Sequence, residues 1–258
     1  IYRGLVGSEM CIRDRSMNTN NKANNQIISS FAKKDPKDAL IEILINILIP
    51  IVILSNFSSE ERLGIKLSII IAFALPLTYG LYDYLRTKNK NFFSILGVIS
   101  VSLSGGLTLL EVDAIYIALK EASIPLIFAF AIIYTMRGDK SLLHHLMENP
   151  IIVNADSILV SLKKNNQLDK YNNLLRKCTA IFAASFMLSA ILNFFLAIFV
   201  LTGEPGTEQF NHQMAKMLAL SFPVNAVPPM IINIINLLYL FNKMKAFTGL
   251  KLEQIMRS

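Results

Sequence analysis

The stretch "ALKEASIPLIFAFAIIYTM", residues 118–136, decides the fold of this chain. It is predominantly apolar until its last residue, and the only charged residues in it are Lys120 and Glu121. A run of about 20 apolar residues has the length of a helix that crosses the hydrocarbon core of a bilayer, which is about 30 Å thick. The stretch therefore predicts a transmembrane helix that carries two adjacent charges inside the membrane.

The composition of the whole chain favours the same class of protein. Hydrophobic residues make up 53% and charged residues 17% of the 258 residues, whereas soluble domains average roughly 25% charged residues. The last apolar stretch is long enough to tilt or bend around "FPVNAVPPM". We predict an all-α polytopic integral membrane protein, embedded in the lipid bilayer, with six transmembrane helices at about 39–56, 64–85, 92–110, 112–136, 178–201 and 214–242.

The basic residues alternate between the connections and predict the orientation. Lysine and arginine are frequent in the tail 17–38, in the second connection, in the loop 137–177, which has seven, and in the tail 243–258. The first connection has one Arg against two Glu, and the third and fifth have neither Lys nor Arg. Since basic loops stay in the cytoplasm, both termini and the loop 137–177 are predicted to be cytoplasmic. The same alternation argues against nucleic-acid binding, despite a net charge of +7.

Residues 5–15 resemble a translated sequencing adapter, so residues 1–16 are interpreted as a sequence artefact. Met17 is then the expected native start, and Cys178 is the one native cysteine, so no internal disulfide is expected. No cofactor, metal site or catalytic residue is predicted. His144 and His145 are adjacent and cannot share a helical face as the histidines of HExxH do, so the sequence disfavours an enzyme.

The loop 137–177 is predicted to contain two short amphipathic helices. Asn154 is a candidate N-cap for the first, and the apolar stripes are Ile158, Leu159 and Leu162 in the first helix and Leu168, Tyr171, Leu174 and Leu175 in the second. Two interpretations remain open. The loop is either a cap on the membrane surface with its basic residues toward anionic lipid, or a docking site for a partner.

Polar residues inside the predicted spans define a candidate intramembrane site. From a rise of about 1.5 Å per residue, five polar side chains from four helices share a broad middle layer. Glu42, Asn46 and Pro50 recur every four residues and are predicted to face the bundle. The site residues expected from the sequence are Lys120, Glu121, Asn46, Glu42, Asn193 and Asn225.

Lys120 and Glu121 admit two interpretations. Consecutive helical residues point about 100° apart, so each is predicted to find its partner on another helix or in water. They are either a buried network that fixes helix packing, or part of a water-filled cavity that binds an ion or a charged solute. Asp83, with Tyr79 and Tyr82, is predicted to be an interfacial anchor or, alternatively, part of the site.

Residues 38–252 resemble an uncharacterised bacterial inner-membrane family. The resemblance rests on "NILIPIVILS", "ALPLTYGLYD", "NFFSILGVISVSLSGGLTLLEVD", "ALKEASIPL" and "PGTEQFN", in that order. In the third of these, "SGG" at residues 104–106 is expected to permit close helix packing or a turn. Members of the family are loosely similar to intracellular septation protein A, and some are described as transporters.

The resemblance implies a multi-pass protein of the bacterial inner (cytoplasmic) membrane that acts in the cell envelope by binding a solute, a lipid or a protein partner. Cell-envelope proteins are the implied partners. The alternative is a small secondary transporter that works as a homodimer, with the Lys120 and Glu121 step in its pathway.

Overall fold

The computed structural model describes residues 44–87, 92–149 and 153–256, and for 83–87, 92–98 and 252 the backbone only. The chain falls into two compact units, Ile1–Leu48 and Ile49–Ser258. The first unit is described only at the π-helical segment Leu44–Leu48.

The second unit is helical throughout its described part, where an isolated β-bridge between Val153 and Met256 is the only strand-like pairing. Its helices are α1 (Ile49–Asn56), α2 (Ile65–Thr87), α3 (Phe92–Leu109), α4 (Ala114–Thr135), α5 (Leu142–Met147), α6 (Ala155–Lys164), α7 (Leu168–Val200), α8 (Glu208–Ser221), α9 (Val227–Thr248) and α10 (Leu252–Ile255). The π-helical turn Phe222–Ala226 joins α8 to α9 without a break.

Four segments of the described residues have the length and apolar composition needed to cross a membrane: Ile65–Tyr82, Ala114–Thr135, Leu168–Val200 and Glu208–Thr248. Two further apolar helices are shorter within the described part, Leu44–Asn56 and Ile99–Leu109. The predicted all-α class with membrane-length helices is thereby confirmed.

The first, third and fifth connections meet at one end of the second unit. Lys66 Nζ, at the start of α2, lies 3.2 Å from Glu111 Oε1 in the turn between α3 and α4. Asn211 Nδ2, in the first turn of α8, donates to Ser58 Oγ between α1 and α2 at 3.0 Å.

The fourth connection and the C-terminal residues meet at the opposite end. The backbone N–H of Asn154 donates to the carbonyl oxygen of Ile255 at 2.9 Å. Asn165 Nδ2 donates to the carbonyl oxygen of Phe247 at 3.0 Å. The second connection, residues 88–91, lies outside the described residues. The described connections thus lie at two ends of the second unit, the first, third and fifth at one end and the fourth at the other.

The fifth predicted span is longer than expected. Helix α7 has 33 residues and is about 50 Å long at 1.5 Å per residue. The predicted separate helix at the end of the loop is its first two and a half turns. Neither Gly nor Pro interrupts the chain between Leu168 and Cys178, so the helix simply continues out of the apolar layer.

The loop 137–177 contributes part of its apolar side chains to a protein core, although Leu159 and Val160 of α6 are exposed. Ile158 and Leu162 of α6 are buried against α7, α9 and α10 residues, including Leu175, Leu240 and Ile255. We call this end of the molecule the cap. The cap packs against both α7 and α9, the two helices between which the groove described below lies.

Candidate functional site

The two adjacent charges of α4 pair with each other. Lys120 Nζ lies 2.9 Å from Glu121 Oε1 and also donates a hydrogen bond to Ser104 Oγ on α3. The Lys120 side chain is 9% exposed and that of Glu121 25%. Lys120 has the partner on another helix that the sequence predicts, Ser104, but contrary to the prediction the two charges also pair with each other. The flexible four-carbon stem of a lysine lets its ammonium group reach across the 100° between neighbouring residues.

Helices α2 and α3 approach each other closely beside Ser104, the serine that accepts from Lys120. A Cβ atom on Gly105 would lie 2.9 Å from Phe73 Cβ, so only glycine fits against α2 at this point. The expectation that "SGG" permits close helix packing is confirmed for Gly105. Ser104, one residue earlier, supplies the hydroxyl group that the sequence analysis did not assign.

A second polar group joins α7 to the π-helical turn. Asn225 Nδ2 donates to Asn193 Oδ1 at 2.6 Å, and Asn193 Nδ2 donates to the carbonyl oxygen of Ser189 at 2.9 Å. Ser189 Oγ donates to the carbonyl oxygen of Asn225 at 3.2 Å. The sequence analysis placed Asn193 and Asn225 in one layer, and the structure brings them into contact.

Proline explains why the carbonyl group of Asn225 accepts from a side chain. In an α-helix this carbonyl would accept the N–H of residue 229, but Pro229 has no N–H. The hydroxyl group of Ser189 replaces the missing donor. A π-helical turn at this point is also typical of functional positions in helices.

The hydrogen bonds fix the orientation of both amides. The carbonyl oxygen of Ser189 can only accept, so Asn193 must direct Nδ2 toward it and Oδ1 toward Asn225. Asn225 must then present Nδ2 to Asn193. Asn225 is only 7% exposed. Its Oδ1 atom is buried and has no hydrogen-bond partner.

Asn225 lines an open groove between α7 and α9, with a volume of about 420 Å³. This size falls within the range of about 300–1,000 Å³ that is usual for small-molecule sites. The groove lies beside the middle of the apolar part of α7. The described residues that line it are uncharged: Phe182, Ser185, Phe186, Ser189, Asn225, Ala226, Pro229, Met230, Asn233, Ile234 and Leu237.

The charged pair and the amide pair lie at one level of the bundle. Arg176 donates to the carbonyl oxygen of Gly138, just beyond the end of α4, at 3.0 Å. Ten residues away along each chain, the tilted rings of Phe128 and Phe186 lie 5.7 Å apart between centroids. The chains between these contacts run antiparallel, and the same register places residue 120 opposite 194. The sequence predicted one cavity; the structure has two hydrogen-bonded groups at one depth, each with its own partners.

The remaining predicted residues fall elsewhere. Asn46 lies on the π-helical segment of the first unit, so its predicted place in the site stays a prediction. Glu42 and the side chain of Asp83 lie outside the described residues. Tyr82 is exposed near the end of α2, and Tyr79 is half-buried.

The sequence analysis missed several polar residues of the α7–α9 contact. Ser185 Oγ donates to Asn233 Oδ1 at 3.0 Å, and Asn236 Nδ2 donates to the carbonyl oxygen of Cys178 at 2.8 Å. The spacing of polar residues in the sequence could have indicated this contact, since Ser185, Ser189 and Asn193 recur every four residues and therefore share one face of α7.

The cap contains a buried histidine that has a structural explanation. Ser141 Oγ lies 2.8 Å from His144 Nδ1, and the backbone N–H of Ser141 donates to the same ring nitrogen at 3.2 Å. This is a capping box at the start of α5. Burial lowers the pKa of His144 below its ordinary value of 6.5. In the described ranges, no three His, Cys, Asp or Glu side chains are grouped so that they could hold a metal ion.

Comparisons of this chain with protein-family models, with curated proteins and with solved structures found no match. The resemblance to the inner-membrane family therefore stays a prediction.

Proposed function

We propose that this protein binds a neutral, lipid-like molecule in the groove between α7 and α9. The observation that carries the proposal is Asn225 Oδ1, a buried acceptor that has no partner and belongs to a groove residue. Leaving such an acceptor unpaired costs about 1–3 kcal/mol, which a ligand with a hydroxyl or amide N–H donor would recover. The uncharged, largely apolar lining favours a ligand that is neutral at this depth.

The groove also fits what the resemblance implies. A bacterial inner-membrane protein similar to the septation group would act in the envelope by binding a solute, a lipid or a protein partner. Of these three, an apolar groove at membrane depth favours a lipid-like ligand. We propose six spans with cytoplasmic termini, supported by the common end of the first, third and fifth connections.

A transporter remains the alternative, and one observation favours it. The carboxylate of Glu121 is one quarter exposed at the depth of the π-helical turn, as a binding residue in a water-filled pathway would be. Single cysteines at positions 117–124, in a chain that starts at Met17 and carries Cys178→Ala, separate the two functions. Rapid labelling of position 121 by a membrane-impermeant thiol reagent would favour the transporter, and protection from both sides would favour a packing role for the pair.

The groove itself is tested by the lipids that co-purify with the protein. We expect native mass spectrometry to detect a neutral hydroxyl- or amide-bearing lipid on the wild-type chain and to lose it in Asn225→Leu. The matched control is Asn211→Leu, which also removes a buried amide whose Oδ1 has no hydrogen-bond partner but lies on α8, outside the groove lining.

A second variant guards against misfolding of Asn225→Leu. Met230→Trp fills the groove from a half-exposed position and should also remove the lipid while the protein keeps its thermal stability. The proposal is wrong if both groove variants retain the same neutral lipids as the control.

A further inference from the structure

We infer that the opposite side of the α7–α9 pair holds an anionic phospholipid, with its headgroup at the cap and an acyl chain along the two helices. A pocket of about 280 Å³ lies where the two helices enter the cap. Lys170 and Lys177 of α7 and Lys243 of α9 line it. This site is distinct from the groove at Asn225 and does not depend on the function proposed for that groove.

The charge of the pocket selects an anion. Its seven lining residues include these three lysines and no carboxylate, and all three lysines are exposed. Lys243 Nζ lies 5.9 Å from the centre of the Tyr239 ring, which holds the ammonium group at the pocket wall. Lysine clusters beside membrane helices on one face of a bilayer are a usual binding site for anionic lipid headgroups.

The depth of the lysines matches the headgroup layer. Lys177 directly precedes the apolar part of α7, which begins at Cys178, and Lys243 directly follows the apolar part of α9. A tyrosine at the same level is typical of a membrane–water interface. The phosphate of a phospholipid would therefore reach the lysines without leaving its own layer.

The basic pocket continues into an apolar one, which identifies the rest of the ligand. Lys177 and Tyr239 also line a second pocket of about 420 Å³, whose other walls are Ile181, Ile232, Ile235 and Asn236. From Lys243 to Ile232 the two pockets extend about 16 Å along α9, at 1.5 Å per residue. Free phosphate would fill only the first pocket, whereas a molecule with an anionic head and a hydrocarbon chain fills both.

The test is a titration of the full chain, in nanodiscs of phosphatidylcholine, with phosphatidylglycerol that carries a fluorescent acyl chain. One lysine near an anionic headgroup contributes about fivefold to affinity, so Lys170→Gln, Lys177→Gln and Lys243→Gln together should weaken binding on the order of a hundredfold. The matched control removes three exposed lysines elsewhere in the cap, Lys163→Gln, Lys164→Gln and Lys251→Gln, and should retain wild-type affinity. Equal losses in the two triple variants would overturn the inference, because the effect would then be one of general surface charge.

Further experiments distinguish a phospholipid from inorganic phosphate and from a second copy of the chain. Ile235→Trp fills the apolar pocket from an exposed position and should weaken lipid binding while all lysines remain. If Ile235→Trp has no effect, or if inorganic phosphate displaces the lipid, the site recognises phosphate alone and the inference is wrong. If Ile235→Cys forms a disulfide between two chains in native membranes, a second copy of the protein covers this surface, and the inference is also wrong.

Discussion

Neutralising Glu121 should destabilise the protein more than neutralising Lys120, although the two side chains form one pair. In Glu121→Gln, the Lys120 ammonium group stays in place with 9% of its side chain exposed and keeps Ser104 as a partner. Breaking a buried ion pair from one side costs about 3–5 kcal/mol. We expect about 3 kcal/mol for Glu121→Gln, at the lower end, because the Ser104 hydrogen bond remains.

Lys120→Met leaves the opposite charge in a wetter position. The Glu121 side chain is 25% exposed, so water stabilises the remaining carboxylate, and we expect a cost of about 1–2 kcal/mol. The double variant has no unpaired charge and should lie within about 1 kcal/mol of the wild type. The coupling free energy of the double-mutant cycle should therefore be about 3–6 kcal/mol.

The buried thiol of Cys178 provides the assay. This residue is fully buried, so a thiol-reactive fluorogenic dye reports unfolding in a chain that carries Cys11→Ser. At about 2–4 °C per kcal/mol for a chain of this size, Glu121→Gln should lower the apparent Tm by about 6–12 °C. Additive effects of the two single variants would refute the pairing, and a larger loss for Lys120→Met than for Glu121→Gln would refute the argument from exposure.

Two further predictions concern helix packing and pH. Gly105→Ala should destabilise the protein by about 1–3 kcal/mol, because its Cβ atom would lie 2.9 Å from Phe73 Cβ. The Cβ atom of Gly106→Ala would meet nothing within 4 Å, so this control variant should be neutral or stabilising by up to about 1 kcal/mol. The same thermal assay compares the two variants. The cap should lose stability in acid, because burial lowers the pKa of His144 in the folded state. As the pH drops below about 6.5, the unfolded chain takes up the proton before the folded chain does, so the free energy of unfolding decreases. The decrease is at most about 1.4 kcal/mol per pH unit and ends once the pH is below the pKa of the folded state. His144→Asn should flatten this dependence, and an unchanged slope in that variant would assign the acid sensitivity to another group.

The membrane-length helices could be predicted from the sequence because apolar length and the positions of basic residues are local properties. The end of α4 follows from an apolar run that the sequence displays directly. The length of α7 could not be predicted in this way. The apolar stripe that includes Tyr171, Leu174 and Leu175 predicts a helix there, but the joining of this helix to the apolar span accompanies the packing of these residues into the cap, which is a tertiary contact.

The candidate site was predicted only in part for a similar reason. Helical geometry placed Asn193 and Asn225 at one depth, but the pairing of Lys120 with Glu121 depends on side-chain conformation, which a helical projection omits. The unpaired Oδ1 of Asn225 depends on three successive hydrogen bonds around Ser189. These hydrogen bonds join residues of different helices, so they could be identified only from the three-dimensional structure.

The most direct test of the proposed function is photo-crosslinking at two adjacent positions of α9. Met230 and Ile231 are each 50% exposed, but only Met230 lines the groove at Asn225. With a photoreactive amino acid at each position in native membranes, we predict a single neutral hydroxyl- or amide-bearing lipid attached at 230 and the bulk phospholipid mixture at 231. The same bulk mixture at both positions would contradict the proposal that this groove binds a specific molecule.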